Sequence, residues 1–156
     1  MKQVTLCFFV KDGKVLLAMK KRGFGVGKWN GYGGKVKQGE SIGQAAVREV
    51  MEESGIAIPE STLREAAELT FTFENNPSWD EEAHVFFVDA WSGEPQETEE
   101  MRPQWFQVSR LPYGEMWIAD REWLPMILSG KKMRGFVCFS SDGSEILNAS
   151  YADAAW

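Results

Sequence analysis

The chain has 156 residues, of which 44% are hydrophobic and 26% are charged. This balance excludes an intrinsically disordered chain, and the length suits one domain, residues 1–156, with a substantial core. The net charge of −6 argues against a protein that binds nucleic-acid polymers, because such proteins usually carry a basic surface.

The N-terminal part is predicted to form a β-hairpin followed by a loop. Two β-rich runs, KQVTLCFFV (2–10) and KVLLAMKK (14–21), are joined by KDG, a turn signal that is typical of hairpins. The segment RGFGVGKWNG (22–31) contains four glycines and is predicted to be a loop. The segment YGGKV (32–36) is predicted to be a short strand that leads into an acidic stretch.

The apolar run at the N-terminus is too short to span a membrane, and no small-residue cleavage site follows it. We therefore expect a cytoplasmic protein without a membrane partner. Cys7 and Cys138 each lie among strand-like apolar residues, a setting that favours buried free thiols over a disulfide.

The first helix is predicted to begin after Ser41 and to end at Ser54. Ser41 and Gln44 match a capping box, in which each side chain bonds to the backbone N–H of the other residue. Gly55 supplies the left-handed position that commonly terminates a helix. The residues expected to pack on the sheet are Val47, Val50, Met51 and Ser54.

Further β-type runs follow this helix: ELTFTFE (68–74), AHVFFVDAW (83–91), QWFQV (104–108), GFVCFS (135–140) and EILNASY (145–151). The segment DREWLPMILS (120–129) is predicted to be a second helix with Asp120 as its N-cap. Several strands with two interspersed helices predict an α/β fold with a mixed sheet.

The first helix carries an acidic face. Glu49, Glu52 and Glu53 follow the i, i+3, i+4 spacing, which places them together, opposite the apolar stripe. A solvated polar face is the ordinary interpretation, but such faces usually mix acidic with basic residues. Clustered carboxylates repel unless a cation lies between them, and a set of oxygen ligands suits Mg²⁺, with Mn²⁺ as a substitute.

The stretch GGKVKQGESIGQAAVREVMEESGI (33–56) resembles the signature of the Nudix family, G-x5-E-x7-R-E-U-x-E-E-x-G-U, where U is a bulky aliphatic residue. Every fixed position is present. The resemblance implies an α/β/α sandwich with a mixed, curved β-sheet, and metal-dependent hydrolysis of a nucleoside diphosphate linked to another group. It implies that Glu49, Glu52 and Glu53 are metal ligands or the general base, that Glu40 and Arg48 orient them, and that the Gly34 carbonyl completes the site.

Spacing alone does not decide whether Glu52 or Glu53 is the base, and Glu53 is favoured. The signature does not specify a substrate either. The segments KKRGFGVGKWNGYGGKV, EMRPQWF, MW (116–117) and REWLP resemble the animal members of the family that hydrolyse oxidised purine nucleoside triphosphates, chiefly 8-oxo-dGTP. This resemblance implies substrate contacts from Thr5, Lys20, Phe24, Asn30, Gly33, Phe71, Phe73, Trp117 and Asp120, and a further metal ligand at Glu100.

These residues have simpler interpretations as well. Each aromatic side chain taken alone is explained by core packing, and Glu100 alone by a surface loop. As a set, however, the rings offer flat surfaces on which a purine can stack. Asp120 is an acceptor that matches the N1–H and 2-amino donors of guanine, and Asn30 offers both a donor and an acceptor.

One residue departs from the animal pattern, which has two adjacent aspartates where this chain has Ala119 and Asp120. A pair of carboxyl groups can share a proton and present a donor or an acceptor as the base requires. Without this pair, we expect an ionised Asp120 to recognise oxidised guanine, and oxidised adenine to be a poorer substrate.

Three alternatives stay open at this stage. The same chemistry could act on ADP-ribose or a dinucleoside polyphosphate. A non-catalytic nucleotide-binding module would be expected to lose signature carboxylates, and here all are present. A structural interaction protein leaves the acidic face unexplained. We expect a monomer whose partner is a small nucleotide rather than a nucleic acid.

Overall fold

We describe a computed structural model that covers residues 1–156. Eight strands and two α-helices follow one another along the chain, in the order β1 Lys2–Lys11, β2 Lys14–Lys20, β3 Trp29–Asn30, α1 Ile42–Ser54, β4 Leu63–Phe73, β5 Glu81–Val88, β6 Met101–Gln107, α2 Asp120–Leu128, β7 Met133–Phe139 and β8 Ile146–Asp153.

All eight strands belong to one mixed sheet. Its main path is β3-β2-β1-β5-β4-β7-β8, and β6 pairs with β2 along the whole length of that strand. The pairs β1–β5 and β4–β7 are parallel, and the other pairs are antiparallel. Parallel neighbouring strands need a long connection. The connection from β1 to β5 contains α1, and the connection from β4 to β7 contains α2.

Side-chain alternation along the strands divides the core into two layers. On β1, Cys7 and Phe9 face a cluster that contains Ala46 and Val50 of α1. Phe8, between them, belongs to the larger cluster on the other face, which α2 covers with Trp123, Leu124 and Ile127. A helix therefore lies on each side of the sheet, and the predicted α/β/α sandwich is confirmed.

The predicted hairpin and the predicted caps of α1 are also present. Asp12 and Gly13 have φ angles of 53° and 73°, the left-handed geometry of a two-residue hairpin turn. Ser41 Oγ accepts a hydrogen bond from Gln44 N at 3.1 Å, and Gln44 Oε1 accepts one from Ser41 N at 2.9 Å. Gly55 has a φ of 77° and donates its N–H to the Met51 carbonyl. Both cysteines are free, with Cys7 buried and Cys138 half-buried.

Residues 32–36 do not form the predicted strand. They pair with β1 only through isolated bridges, Cys7–Tyr32 and Val4–Lys35. The glycines between these bridges explain the difference, because a Cβ on Gly33 would lie 1.7 Å from the Thr5 carbonyl oxygen. The backbone therefore passes too close to β1 for a regular ladder, and the short strand β3 forms instead inside the predicted loop.

The start of α2 also differs from the prediction. The N-cap position belongs to Ala119, which cannot cap with its side chain, and Asp120 is the first helical residue. Met51 of α1 is likewise exposed rather than packed on the sheet. Neither helix is long and apolar enough to cross a membrane.

Candidate active site

A pocket of about 320 Å³ opens on the α2 side of the sheet and extends to the buried end of α1. Its polar end contains Lys20 and Glu53, and its apolar end contains aromatic rings. Eleven of the predicted site residues line it: Thr5, Lys20, Phe24, Asn30, Gly33, Gly34, Glu53, Phe71, Phe73, Trp117 and Asp120. The other five, Glu40, Arg48, Glu49, Glu52 and Glu100, lie outside this lining.

The aromatic end is built from rings on five separate parts of the chain. Phe24, from the loop after β2, lies 4.9 Å from the Trp79 ring and 5.1 Å from the Trp117 ring. Phe73 stacks on Phe139 at 4.9 Å across neighbouring strands. Phe24 is 43% exposed although it lies within this cluster, so part of its ring remains open to a ligand.

The loop that carries Phe24 depends on glycine. Gly23, Gly25 and Gly27 all have φ angles between 80° and 84°, a region that L side chains rarely adopt. A Cβ on Gly25 would also lie 3.5 Å from Trp117 Nε1. The alternating glycines therefore allow the loop to fold closely over Trp117 and to place Phe24 beside it.

Asp120 is a buried carboxyl group at the aromatic end. The residue is 4% exposed, and its Oδ2 has no hydrogen bond of good geometry, although the nearby Trp123 side chain acts to lower the pKa of the carboxyl group. Burial raises the pKa of Asp120 from 3.8 to about 8. A pKa of about 8 makes the neutral acid the main form of Asp120 in the free protein near neutral pH, whereas the sequence predicts an ionised Asp120 for the recognition of oxidised guanine.

Two other polar side chains line the pocket. The Asn30 Oδ1 atom accepts a hydrogen bond from the Gly31 N–H at 2.9 Å, which leaves the Asn30 amide nitrogen without a protein partner. Thr5 is 2% exposed, and its hydroxyl lies 3.5 Å from the Gly34 carbonyl oxygen. The Asn30 amide therefore remains available as a donor.

Arg48 organises the acidic residues outside the pocket. Its Nε and a terminal nitrogen donate to the two oxygens of Glu40 at 2.6 and 2.9 Å. The other terminal nitrogen donates to Glu49 at 2.8 Å and reaches Glu52 at 3.3 Å. The bonds that Arg48 donates to Glu40 lower the pKa of Glu40 to about 2. Three of the signature carboxylates therefore surround one guanidinium, the geometry expected of orienting residues.

Glu53 differs from its neighbours because it is buried. The residue is 1% exposed, whereas the side chain of Glu52 is 53% exposed. The prediction that all three helical acids lie opposite the packed face is therefore wrong for Glu53. The close approach of Gly33 to β1 brings its N–H to Glu53 Oε1 at 2.8 Å. Burial raises the pKa of Glu53 to about 8 despite this hydrogen bond.

Lys20 in the pocket wall and Glu100 outside it both lie near Glu53. The positive charge of Lys20 acts to lower the pKa of Glu53, whereas the negative charges of Glu49 and Glu100 act to raise it. All three side chains therefore lie within electrostatic range of Glu53. Glu100 also lies 3.5 Å from Arg22, which belongs to the same loop as Phe24.

The donor set fits a hard divalent cation. No three acidic, histidine or cysteine side chains converge closely enough to chelate one here, since Arg48 holds Glu49 and the Gly33 amide holds Glu53. Glu49 nevertheless lies against Gly34, where a Cβ would be 2.6 Å from its Oε1. Burial is the main cause of the raised pKa of Glu53, and the negative charges of Glu49 and Glu100 add to it; a cation bound among these carboxylates would favour the ionised form of Glu53.

Eleven further residues of the pocket wall were not predicted from the sequence, and Lys2, Glu81, Trp123 and Phe139 are among them. For Glu81 a signal was present, because it continues the alternation of Ala83, Val85 and Phe87, which all face the larger core cluster. An acid at an inward position of a strand indicates either a paired charge or a binding site.

Comparison with known proteins identifies the family. A NUDIX domain model matches residues 1–127. The chain is 44% identical over 146 residues to the oxidized purine nucleoside triphosphate hydrolase of Danio rerio, with coverage of 94% of this chain and 90% of the relative. The protein of the same name from Mus musculus is also 44% identical, with coverage of 94% and 91%.

The solved structures agree on the fold. The crystal structure of a MutT protein from Bacillus halodurans matches with a TM-score of 0.82 and 24% identity, covering 97% of each chain. At this identity the similarity supports the fold alone. Together with the intact signature and the sequence relatives, it confirms the predicted resemblance: the chain belongs to the Nudix family of hydrolases.

Proposed function

We propose that the protein hydrolyses oxidised purine nucleoside triphosphates, chiefly 8-oxo-dGTP, to the monophosphate and pyrophosphate. The observation that carries the proposal is one continuous pocket, with aromatic rings and Asp120 at one end and Glu53 with Lys20 at the other. A purine fits the first end and phosphates fit the second. The zebrafish and mouse relatives are named as hydrolases of this substrate class.

Nudix hydrolases generally use divalent metal ions, and Mg²⁺ is the ion proposed here, with Mn²⁺ as a substitute. The proposed ligands are the carboxylates of Glu49, Glu52, Glu53 and Glu100 and the carbonyl oxygen of Gly34. When bound, the ion neutralises charge on the phosphate oxygens and lowers the pKa of water.

The protein groups at this end have separate proposed roles. Glu53 in its ionised form accepts the proton of the attacking water, and the positive charge of Lys20, together with that of a bound cation, favours this form. Lys20 binds the phosphates, and the Gly33 N–H fixes the orientation of Glu53. Arg48 holds Glu49 and Glu52 in position, and its own orientation is fixed by a bidentate, half-buried ion pair with Glu40.

At the other end, the base is proposed to stack among Phe24, Phe73 and Trp117. The N1–H and 2-amino group of guanine are two donors, and they are best matched by an ionised Asp120. Because this carboxyl is protonated in the free protein, binding of guanine is expected to displace its proton. The Asn30 amide offers a further donor to the base.

This arrangement predicts a preference among oxidised bases. A kcat/KM for 8-oxo-dGTP at least about tenfold above that for 2-oxo-dATP is expected, because one unmatched hydrogen bond costs about 1–3 kcal/mol. Ala119 is fully buried and supplies no second carboxyl group. Steady-state rates on both triphosphates with Mg²⁺ give the ratio, and comparable values would contradict the role of Asp120.

A second prediction concerns proton release. At pH 7 an Asp120 with a pKa of about 8 is mostly protonated, and two bound donors stabilise its ionised form. Binding of 8-oxo-dGMP should therefore release close to one proton per nucleotide. Calorimetric titration in two buffers of different ionisation enthalpy measures this number. Asp120→Asn should abolish the release, and the same heat in both buffers for the unmodified protein would contradict the prediction.

Product analysis separates this proposal from the other functions. Hydrolysis of an oxidised triphosphate should yield a monophosphate and pyrophosphate, whereas ADP-ribose would yield two monophosphates. A screen of modified nucleoside triphosphates, ADP-ribose and a dinucleoside polyphosphate with Mg²⁺ therefore identifies both reaction and base. A non-catalytic module would hydrolyse none of them. We further propose a single-domain monomer that acts on the cytoplasmic nucleotide pool.

A further inference from the structure

Glu81 is an acidic residue in the wall of the pocket that has no part in the proposed reaction. It is the first residue of β5, and it faces the pocket together with Ala83 of the same strand. Burial raises the pKa of this carboxyl group. The group makes no hydrogen bond and no ion pair with the protein, although such bonds usually offset the cost of removing a carboxyl group from water.

The neighbours of Glu81 supply no hydrogen bond or close ion pair, although Lys2 lies within electrostatic range and its positive charge acts to lower the pKa of Glu81. On the adjacent strands Lys2 and Phe71 lie directly opposite it. The Lys2 ammonium lies over the Phe24 ring at 5.8 Å from its centre, and it pairs with no carboxylate. Glu81 therefore lies among the rings of the aromatic end, and the hydrogen-bonding capacity of its carboxyl group is available to a ligand.

The position of Glu81 favours the base over the phosphates. The phosphate end is marked by Lys20 and Glu53, and a carboxyl group would repel phosphate oxygens there. Asp120 approaches the pocket from α2, whereas Glu81 approaches it from the sheet. Two acceptors on different walls can meet two different edges of the same flat base.

We propose that Glu81 is a specificity-determining residue, whose carboxyl oxygen accepts a hydrogen bond from the N7–H of an 8-oxopurine. Conversion of C8 into a carbonyl places a proton on N7, so that this atom changes from an acceptor into a donor. Unmodified guanine would present a lone pair to the Glu81 oxygen, and both acceptors would remain unsatisfied. The proposal rests on the proposed function and explains how an oxidised base is distinguished from the normal one.

The test compares 8-oxo-dGTP with dGTP in two variants. Glu81→Leu removes the acceptor, and we expect kcat/KM for 8-oxo-dGTP to fall about tenfold, whereas kcat/KM for dGTP should stay the same or rise because the unsatisfied acceptor is gone. Glu81→Gln presents both a donor and an acceptor, so it should also lower the ratio between the substrates. The matched control is Glu82→Gln, because Glu82 faces away from the pocket and accepts from Gln3 at 3.1 Å. This control should keep the ratio of the unmodified protein.

Binding of 8-oxo-dGMP and dGMP without metal provides a second readout, and the same loss of discrimination is expected in Kd. The role of Glu81 is overturned if both Glu81 variants keep the ratio of kcat/KM for 8-oxo-dGTP to kcat/KM for dGTP. It is also overturned if both substrates lose kcat/KM equally. Failure of the unmodified protein to hydrolyse 8-oxo-dGTP instead overturns the proposed function. If Glu81→Leu does not fold, Glu81→Gln decides the question, since it preserves the shape of the side chain.

Discussion

Replacement of Glu53 with glutamine is expected to lower kcat about a thousandfold, within the range that loss of a positioned general base usually causes. Glutamine cannot take up a proton, and it is a poorer ligand for a divalent cation. Its amide oxygen can still accept the hydrogen bond from Gly33, so the local geometry should persist. Steady-state rates with 8-oxo-dGTP and Mg²⁺ provide the measurement, and an unchanged rate would reject the assignment of Glu53.

Stability measurements show whether Glu53→Gln lowers kcat through the chemistry of the reaction or through unfolding. The pKa of Glu53 rises from 4.5 to about 8 on folding, so the unfolded state loses its proton first as the pH increases. This carboxyl therefore weakens the metal-free fold progressively between about pH 4.5 and 8. Glu53→Gln removes that penalty, and its Tm at pH 7.5 should equal or exceed that of the unmodified protein. The exposed Glu65→Gln should alter neither rate nor Tm.

Replacement of Asp120 with alanine is expected to lower kcat/KM for 8-oxo-dGTP about a hundredfold. Two guanine donors would then be desolvated without an acceptor, at about 1–3 kcal/mol or more for the pair. The reaction itself takes place at the other end of the pocket, so kcat at saturation should fall much less than kcat/KM. A similar fall in kcat would show that Asp120 acts on the chemistry instead.

Two further variants separate recognition from folding in this case. Asp120→Asn keeps the shape of the neutral acid and should raise Tm at pH 7 to 8, because the rise of the Asp120 pKa from 3.8 to about 8 on folding weakens the fold progressively between about pH 3.8 and 8. It should still bind oxidised guanine less tightly, since an amide cannot offer two acceptors. Asp153→Asn, at an exposed position of β8, should leave kcat/KM unchanged.

Features that depend on a few consecutive residues could be predicted from the sequence. The turn at Asp12 and Gly13 and the caps at Ser41 and Gly55 require particular backbone angles or nearby side-chain bonds. The signature likewise lies within one stretch of chain, so it identified the family and the carboxylates around Arg48. In each of these cases local chemistry decides the structure.

Features set by contacts between distant segments could not be predicted in this way. Helical periodicity placed Glu53 with Glu49 and Glu52, but the approach of Gly33 to β1 determines which of them is buried. The close approach of Gly33 to β1 also prevents the strand that was predicted for residues 32–36. The ionisation of Asp120 depends on the depth of α2 against the sheet, which the order of residues does not reveal.

Only part of the pocket could be predicted, because its wall is also formed by contacts between distant segments. The resemblance supplied Phe24, Phe73 and Trp117, which the structure brings together from separate elements. It supplied nothing for Glu81, where only the alternation along β5 indicated an inward position. A resemblance indicates what a family shares, whereas residues particular to one chain must be found from its own pattern.

The bonds that Arg48 makes have a thermodynamic consequence. One guanidinium bonds to Glu40 and Glu49, approaches Glu52 and also donates to the Lys35 carbonyl at 3.0 Å. Effects of changes at residues that share one partner are not additive. Loss of Arg48 should therefore remove most of what each acid contributes through it, so that a later loss of Glu40 costs little more. These positions behave as one energetic unit, which is more easily kept or lost whole than altered one residue at a time.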